Sequence, residues 1–156
     1  QSLTLPVLVQ GETSKTQLLR DFISSGNALL VATASFWEGV DVRGDALTCV
    51  IIDKLPFTAP DDPLLKARME DCQVRGGDPF RDVQIPDAVI SLKQGVGRLI
   101  RDTEDYGVIV ICDNRIVMRP YGEIFLKSLP PSPRTRSLTK AAEFLAARQS
   151  QRRTAE

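Results

Sequence analysis

Four short apolar runs, separated by stretches with helical spacing, constrain the fold of this chain more than any other feature. They lie at residues 3–9, 28–32, 47–53 and 107–112. The run Ala28-Leu29-Leu30-Val31-Ala32 has no polar residue at all. A strand that is apolar on both faces needs cover on both faces, as in a parallel sheet. Residues 14–25 carry Leu18, Leu19, Phe22 and Ile23 at helical spacing and stop at Gly26. Residues 62–74 read as a helix with Pro63 in its first turn. Residues 87–102 and 118–129 read as two more, and residues 36–44 and 76–86 as loops. Strands alternating with helices predict an α/β fold: a parallel sheet flanked by helices on both faces. Ligands of such sheets sit at the carboxyl ends of the strands. Past the last strand, Pro130-Pro131-Ser132-Pro133 forms a stiff spacer. A final helix is expected at residues 137–149, with a frayed polar tail. The first run begins almost at residue 1, so the chain reads as a piece cut from a longer polypeptide.

Composition removes several function classes. A length of 156 residues suits one domain with a real core. The formal net charge is zero, so any nucleic-acid contact is local or shared with another domain. No histidine is present, which excludes Ser-His-Asp and Cys-His catalysis and histidine-ligated metal within this chain. Cys49, Cys72 and Cys112 are too few for an iron–sulfur or four-cysteine zinc site. Cys49 and Cys112 fall inside the apolar runs, where small buried side chains are expected. A reduced, cytoplasmic protein fits, and no apolar run is long enough to span a membrane.

The sharpest chemical signal is Gln94-Gly95-Val96-Gly97-Arg98-Leu99-Ile100-Arg101. On a continuous helix, residues 94, 98 and 101 share one face. Two guanidinium forks and an amide there can converge on a phosphate. Alone, the same arginines could line a solvated face and pair with Asp102 and Glu104. What should sit opposite is missing. Gly11-Glu12-Thr13-Ser14-Lys15-Thr16 fails as a phosphate loop, because a serine precedes the lysine and the spacing is short. It reads better as a capping box, with Ser14 and Gln17 opening a helix. No apolar run ends in an Asp-Glu pair that could hold magnesium. The chain therefore carries half of a nucleotide site.

A second signal is Phe36-Trp37-Glu38-Gly39-Val40-Asp41. Two carboxylates flank a glycine, and the only tryptophan stands beside them. The segment suits either a ribose and nucleobase contact or a turn with Trp37 packed on the core. Taken in order, Trp37-Glu38-Gly39-Val40-Asp41, Lys54-Leu55-Pro56-Phe57, the glycine-arginine segment 94–101 and Asp113-Asn114-Arg115 resemble motifs V and VI, and their surroundings, of the DinG/XPD-like superfamily 2 DNA helicases. Within that family they look most like its bacterial YoaA branch. The resemblance covers roughly residues 1–130, with one departure: Arg43 stands where many relatives have proline.

The resemblance implies a RecA-like domain, residues 1–130, followed by residues 131–156 as spacer, helix and tail. It implies the second motor domain of an ATP-driven 5′-to-3′ helicase, cytoplasmic and nucleoid-associated in a bacterium. A 4Fe-4S cluster and the phosphate loop would lie in the first motor domain, and ATP with Mg2+ would be shared between the two. By motif position, Arg98 and Arg101 would be arginine fingers and Gln94 would position them or the attacking water. Glu38, Gly39, Asp41 and Gly97 would serve the nucleotide, and Trp37 and Lys54 single-stranded DNA. Asp113 and Arg115 would support the finger helix. In the final helix, Leu138, Ala141, Ala142 and Leu145 form an apolar stripe with Phe144 and Arg148 beside it. That stripe either packs on its own domain or docks a partner. The resemblance names a partner, the chi subunit of DNA polymerase III. A stand-alone enzyme is disfavoured by the missing phosphate cradle.

Overall fold

The computed structural model describes residues 4–37, 46–97, 99 and 106–155. Strands β1 (Val7–Val9) and β2 (Leu29–Val31) pair in parallel through helix α1 (Lys15–Ser25). Strands β3 (Cys49–Ile52) and β4 (Val108–Ile111) pair in parallel in register Val50 to Ile109. A 3-10 turn (Ala34–Trp37) precedes β3, and between β3 and β4 come α2 (Pro63–Val74), a π-helical turn (Phe80–Gln84) and α3 (Ile85–Val96). After β4 follow α4 (Arg115–Met118), α5 (Gly122–Ser128) and α6 (Leu138–Ala155). All four apolar runs are strands, and the α/β class with parallel pairing holds.

Local chemistry explains the early helix ends. The Gln17 N–H donates to Ser14 Oγ at 3.3 Å, and Asp62 Oδ1 accepts from the Leu65 N–H at 2.7 Å ahead of Pro63. Gly26 ends α1 at φ 66°, a left-handed conformation that suits glycine. The capping box is only half formed, because the Gln17 amide turns to Asp21 at 2.7 Å instead of reaching back.

Other expectations need correction. The strands lie in two separate pairs, β1–β2 and β3–β4, and Ile51 is 59 % exposed with Val7 and Val31 also open. An apolar strand is suited to burial, but its composition does not supply the covering layer. Cys49 is half-buried and Cys112 exposed, for the same reason. Residues 80–84 form a π-helical turn where a loop was expected, and α3 starts at Ile85. The helix expected at 118–129 begins only at Gly122 as α5, and Arg119-Pro120-Tyr121 separates it from the short α4 that ends at Met118. Gly122 makes the joint possible: a Cβ there would fall 2.0 Å from the Ile116 carbonyl oxygen. Finally, α6 runs on to Ala155, through the segment expected to fray.

One core organises the part of the chain that carries the later motifs. Leu55, Ile85, Ala88, Leu92, Val96, Ile116 and Phe125 are buried together. Thus α3 and α5 pack against each other over the β3–β4 pair, with Ile52, Ile109 and Ile111 at the contact. A smaller cluster surrounds Phe36, with Leu19, Leu30, Ala46 and Leu47.

Candidate functional site

The segment after β3 and the segment after β4 are fastened to each other by one carboxylate. Asp113 is only 8 % exposed and is the buried charged residue among those described. Its Oδ2 accepts the Leu55 N–H at 2.9 Å, across 58 residues of sequence. Its Oδ1 accepts the Arg115 N–H at 3.0 Å. The Arg115 guanidinium returns to the same carboxylate, Nε at 3.0 Å from both oxygens and Nη2 at 2.6 Å from Oδ2. A buried carboxylate needs this degree of partnering, since an unpaired one is strongly penalised. The guanidinium also lies over the Phe57 ring, 5.3 Å from its centroid.

The Arg115 guanidinium holds the Asp113 carboxyl well below the usual carboxylate range, with burial opposing and the two N–H groups adding to the effect. Asp113 in turn raises the Arg115 guanidinium further above its ordinary value. A carboxyl whose folded value is depressed stabilises the protein fully above its unfolded value of about 3.9, and that contribution fades as pH falls toward the folded value. Asp113→Asn should therefore lower stability by about 2 kcal/mol near neutral pH, the scale of charge-assisted hydrogen bonds. The gap between variant and parent should narrow below about pH 4. Urea unfolding midpoints across pH 3 to 8 read this directly, and a gap that is absent at pH 7 rules it out.

The other expected site residues are distributed as follows. Lys54 is exposed at the end of β3. Gln94 is exposed on α3, and Gly97 caps that helix, its N–H donating to the Lys93 carbonyl at 2.8 Å. The described helix ends at Val96, and of the three residues expected on one helical face, 98 and 101 lie outside the described residues. Two glycines flanking Val96 loosen the helix at the point where its apolar spacing would carry it on. Glu38, Gly39, Asp41, Arg98 and Arg101 lie outside the described residues, as does Arg43. Trp37 closes the 3-10 turn, while its neighbour Phe36 fills the small core. Asp113 and Arg115 were expected to support the finger helix; Asp113 accepts the Leu55 N–H, and Arg115 is hydrogen-bonded to Asp113 and lies over the Phe57 ring. The next residue, Ile116, is buried in one cluster with Leu92 and Val96 of α3.

A further cluster, not anticipated from sequence, lies past the ends of β1 and β2. Gln10 Oε1 accepts from the Thr33 N–H at 2.8 Å and its hydroxyl at 3.0 Å, and Thr33 and Ser35 hydroxyls meet at 2.9 Å. A cleft of about 260 Å³ opens there, lined by Gln10, Thr13, Lys15, Ser35 and Phe36. The Lys15 ammonium lies 5.2 Å from the Phe36 ring centroid. The only sequence signal was its position, just beyond two strand ends. At the other end of the chain, Leu138 is 76 % and Phe144 41 % exposed, with the Arg148 guanidinium 5.7 Å over the Phe144 ring. Among the described residues, no three acidic or cysteine side chains gather as a metal site, and no helix is long and apolar enough to cross a membrane.

Known proteins resemble this chain over most of its length. A family described as the helicase C-terminal domain matches residues 1–132. The chain is 77 % identical over 145 residues to the ATP-dependent DNA helicase YoaA of Escherichia coli (strain K12), covering 93 % of this chain and 23 % of that protein. It is 72 % identical over 141 residues to YoaA of Haemophilus influenzae, covering 90 % and 22 %. It is 42 % identical over 145 residues to the ATP-dependent helicase DinG of Mycobacterium tuberculosis (strain H37Rv), covering 93 % and 22 %. The chain thus spans less than a quarter of the length of these relatives. With the parallel strands, the fastened 54–57 and 113–115 segments and this likeness in hand, the chain belongs to the DinG/XPD-like family, as a helicase C-terminal domain.

Proposed function

We propose that residues 1–130 are the second, RecA-like motor domain of an ATP-dependent 5′-to-3′ DNA helicase, and that residues 131–156 are an appended spacer and helix. The observation that carries this reading is the Asp113 junction, which holds Leu55 and Phe57 against the end of β4 in a chain of this family. A nucleotide between two motor domains needs cations on the side away from the phosphate loop. Arg98 and Arg101 would supply them, with Gln94 ordering them or the attacking water and Gly97 letting the backbone come close. Glu38, Gly39 and Asp41 would link the nucleotide to the DNA track, with Trp37 and Lys54 on single-stranded DNA. Asp113 and Arg115 would act as supports. Among the described residues no three acidic or cysteine side chains gather as a metal site, and this reading assigns the Mg2+ ligands and the 4Fe-4S cluster to the rest of the polypeptide. In a bacterium, such a protein would work in the cytoplasm, at the nucleoid.

Steady-state ATPase measurement tests this. The intact protein should hydrolyse ATP with strong stimulation by single-stranded DNA, and the 156-residue chain alone should match a buffer control. Magnesium-dependent turnover by the chain alone would defeat the reading.

The exposure of α6 favours an additional role. Leu138 and Phe144 face solvent, and Arg148 is held over the Phe144 ring one turn away. This reading assigns α6 to a partner protein, the chi subunit of DNA polymerase III, which would recruit the helicase to the replication machinery. Phe144→Ala should weaken chi capture by about 2 kcal/mol, as expected of an aromatic anchor. Melting temperature and DNA-stimulated ATPase should stay unchanged. A large fall in melting temperature would show that Phe144 packs internally.

A further inference from the structure

The aromatic rings of this chain form a series that runs from the core to the surface. Phe125 is fully buried, Phe57 and Tyr121 are half-buried, and Phe80 is 39 % exposed. Phe80 stacks on Phe57 with centroids 5.7 Å apart and planes 20° from parallel. Tyr121 meets the Phe80 ring edgewise at 5.3 Å, and Phe125 meets Phe57 edgewise at 5.7 Å. At the inner end, the Arg115 guanidinium lies over Phe57, fixed there by Asp113. Phe80 is therefore the outermost ring of a braced column.

Its backbone is braced as well. Phe80 opens the π-helical turn, and Asp78 Oδ1 accepts the N–H groups of Phe80 at 3.0 Å and Arg81 at 3.2 Å. The Asp78 N–H donates to Asp82 Oδ2 at 2.8 Å, so both nearby carboxylates are engaged in holding the turn. Such π turns are rare and concentrate at functional positions. A ring held in one orientation, with its inner face filled, loses little freedom when a flat partner arrives. A further flat ring would extend the column. Arg81 follows Phe80 directly, is exposed, and forms no ion pair with a described residue.

We propose that Phe80 is a stacking site for an unpaired base of single-stranded DNA, with Arg81 meeting the adjacent phosphate. Every base offers a π face, so this contact is indifferent to sequence and suits a motor that moves along a strand. It rests on the motor-domain reading above and extends the DNA track to the turn before α3.

The test uses the intact protein and two fluorescent probes in anisotropy titrations: an oligothymidylate, and a sugar-phosphate oligomer of equal length without bases. Phe80→Ala and Phe80→Leu should each weaken oligothymidylate binding about tenfold, and leave binding of the abasic oligomer unchanged. Phe80→Leu keeps apolar volume, so its melting temperature should stay near that of the parent. Phe80→Trp should bind like the parent, and its added fluorescence should be quenched by oligothymidylate but not by the abasic oligomer. Unchanged oligothymidylate affinity in a folded Phe80→Leu variant would overturn the proposal, as would equal losses on both probes. Should Phe80→Leu fail to fold, the absence of quenching in Phe80→Trp would overturn it instead. A parent protein that binds neither probe would overturn the motor-domain reading together with this one, a result distinct from failure of Phe80 alone.

Discussion

Replacing Arg98 or Arg101 by alanine in the intact protein should lower DNA-stimulated ATP hydrolysis by about 10³-fold or more, the range found for arginine fingers. The reason is electrostatic. Charge spreads over the phosphoryl oxygens in the transition state, and a guanidinium already in place stabilises it without reorganisation. The helix that precedes them in sequence is firmly seated. Its apolar face, Ala88, Leu92 and Val96, is almost fully buried. Gly97 then caps it one residue before Arg98. Lysine at either position should rescue poorly, because a point charge does not reproduce the two-pronged geometry. Circular dichroism and melting temperature should match the parent for all four variants. Turnover within a few-fold of the parent in either alanine variant would show that the arginine is a surface residue.

The second large effect is on stability. Phe125→Ala should cost about 3–5 kcal/mol, the range for removing a buried aromatic ring. Phe125 is 0 % exposed and meets both Phe57 and Tyr121 edge-on. Its loss leaves a cavity between α3, α5 and segment 54–57, which the split α4–α5 joint cannot close. Ile116 and Gly122 are already in backbone contact there, so α5 has no room to move inward. At about 2–4 °C per kcal/mol for a chain of this size, the melting temperature should fall by about 10 °C. Phe125→Leu should fall by much less, because most of the volume stays. A melting temperature within a degree or two of the parent for Phe125→Ala would mean that this core does not bear the domain's stability.

Much of the secondary structure was legible because its causes are local. The β-branched and leucine runs became β1 to β4, since such side chains suit strands whatever surrounds them. Ser14, Gly26, Asp62 and Pro63 marked helix ends correctly, since a cap acts on residues two or three positions away. The reading went astray where a distant contact competes with local spacing. Val96 and Leu99 keep helical spacing beyond the point where α3 stops, and the two glycines release the helix there. The π turn owes its form to Asp78 and to the seat of Phe80 on Phe57, 23 residues earlier. Reading 118–129 as one helix missed the joint at Pro120, which depends on how closely Gly122 approaches Ile116.

The site divides in the same way. The sequence by itself determined which residue types are present: the arginines and glutamine of segment 94–101, the carboxylates of segment 37–41, and the Asp113-Asn114-Arg115 block. Order along the chain was enough to identify the family, because motif order is a one-dimensional property. Only the tertiary structure decided which of these act together. It bound Asp113 to Leu55 and set Arg115 over Phe57, a pairing that the order of the motifs does not specify. It also left Phe80 and Phe144 at the surface, though both are as apolar as the buried Phe125. Hydrophobicity ranks side chains by what burial gains, but the number of elements that can pack around each position sets how much burial it receives. That number is a property of the folded chain.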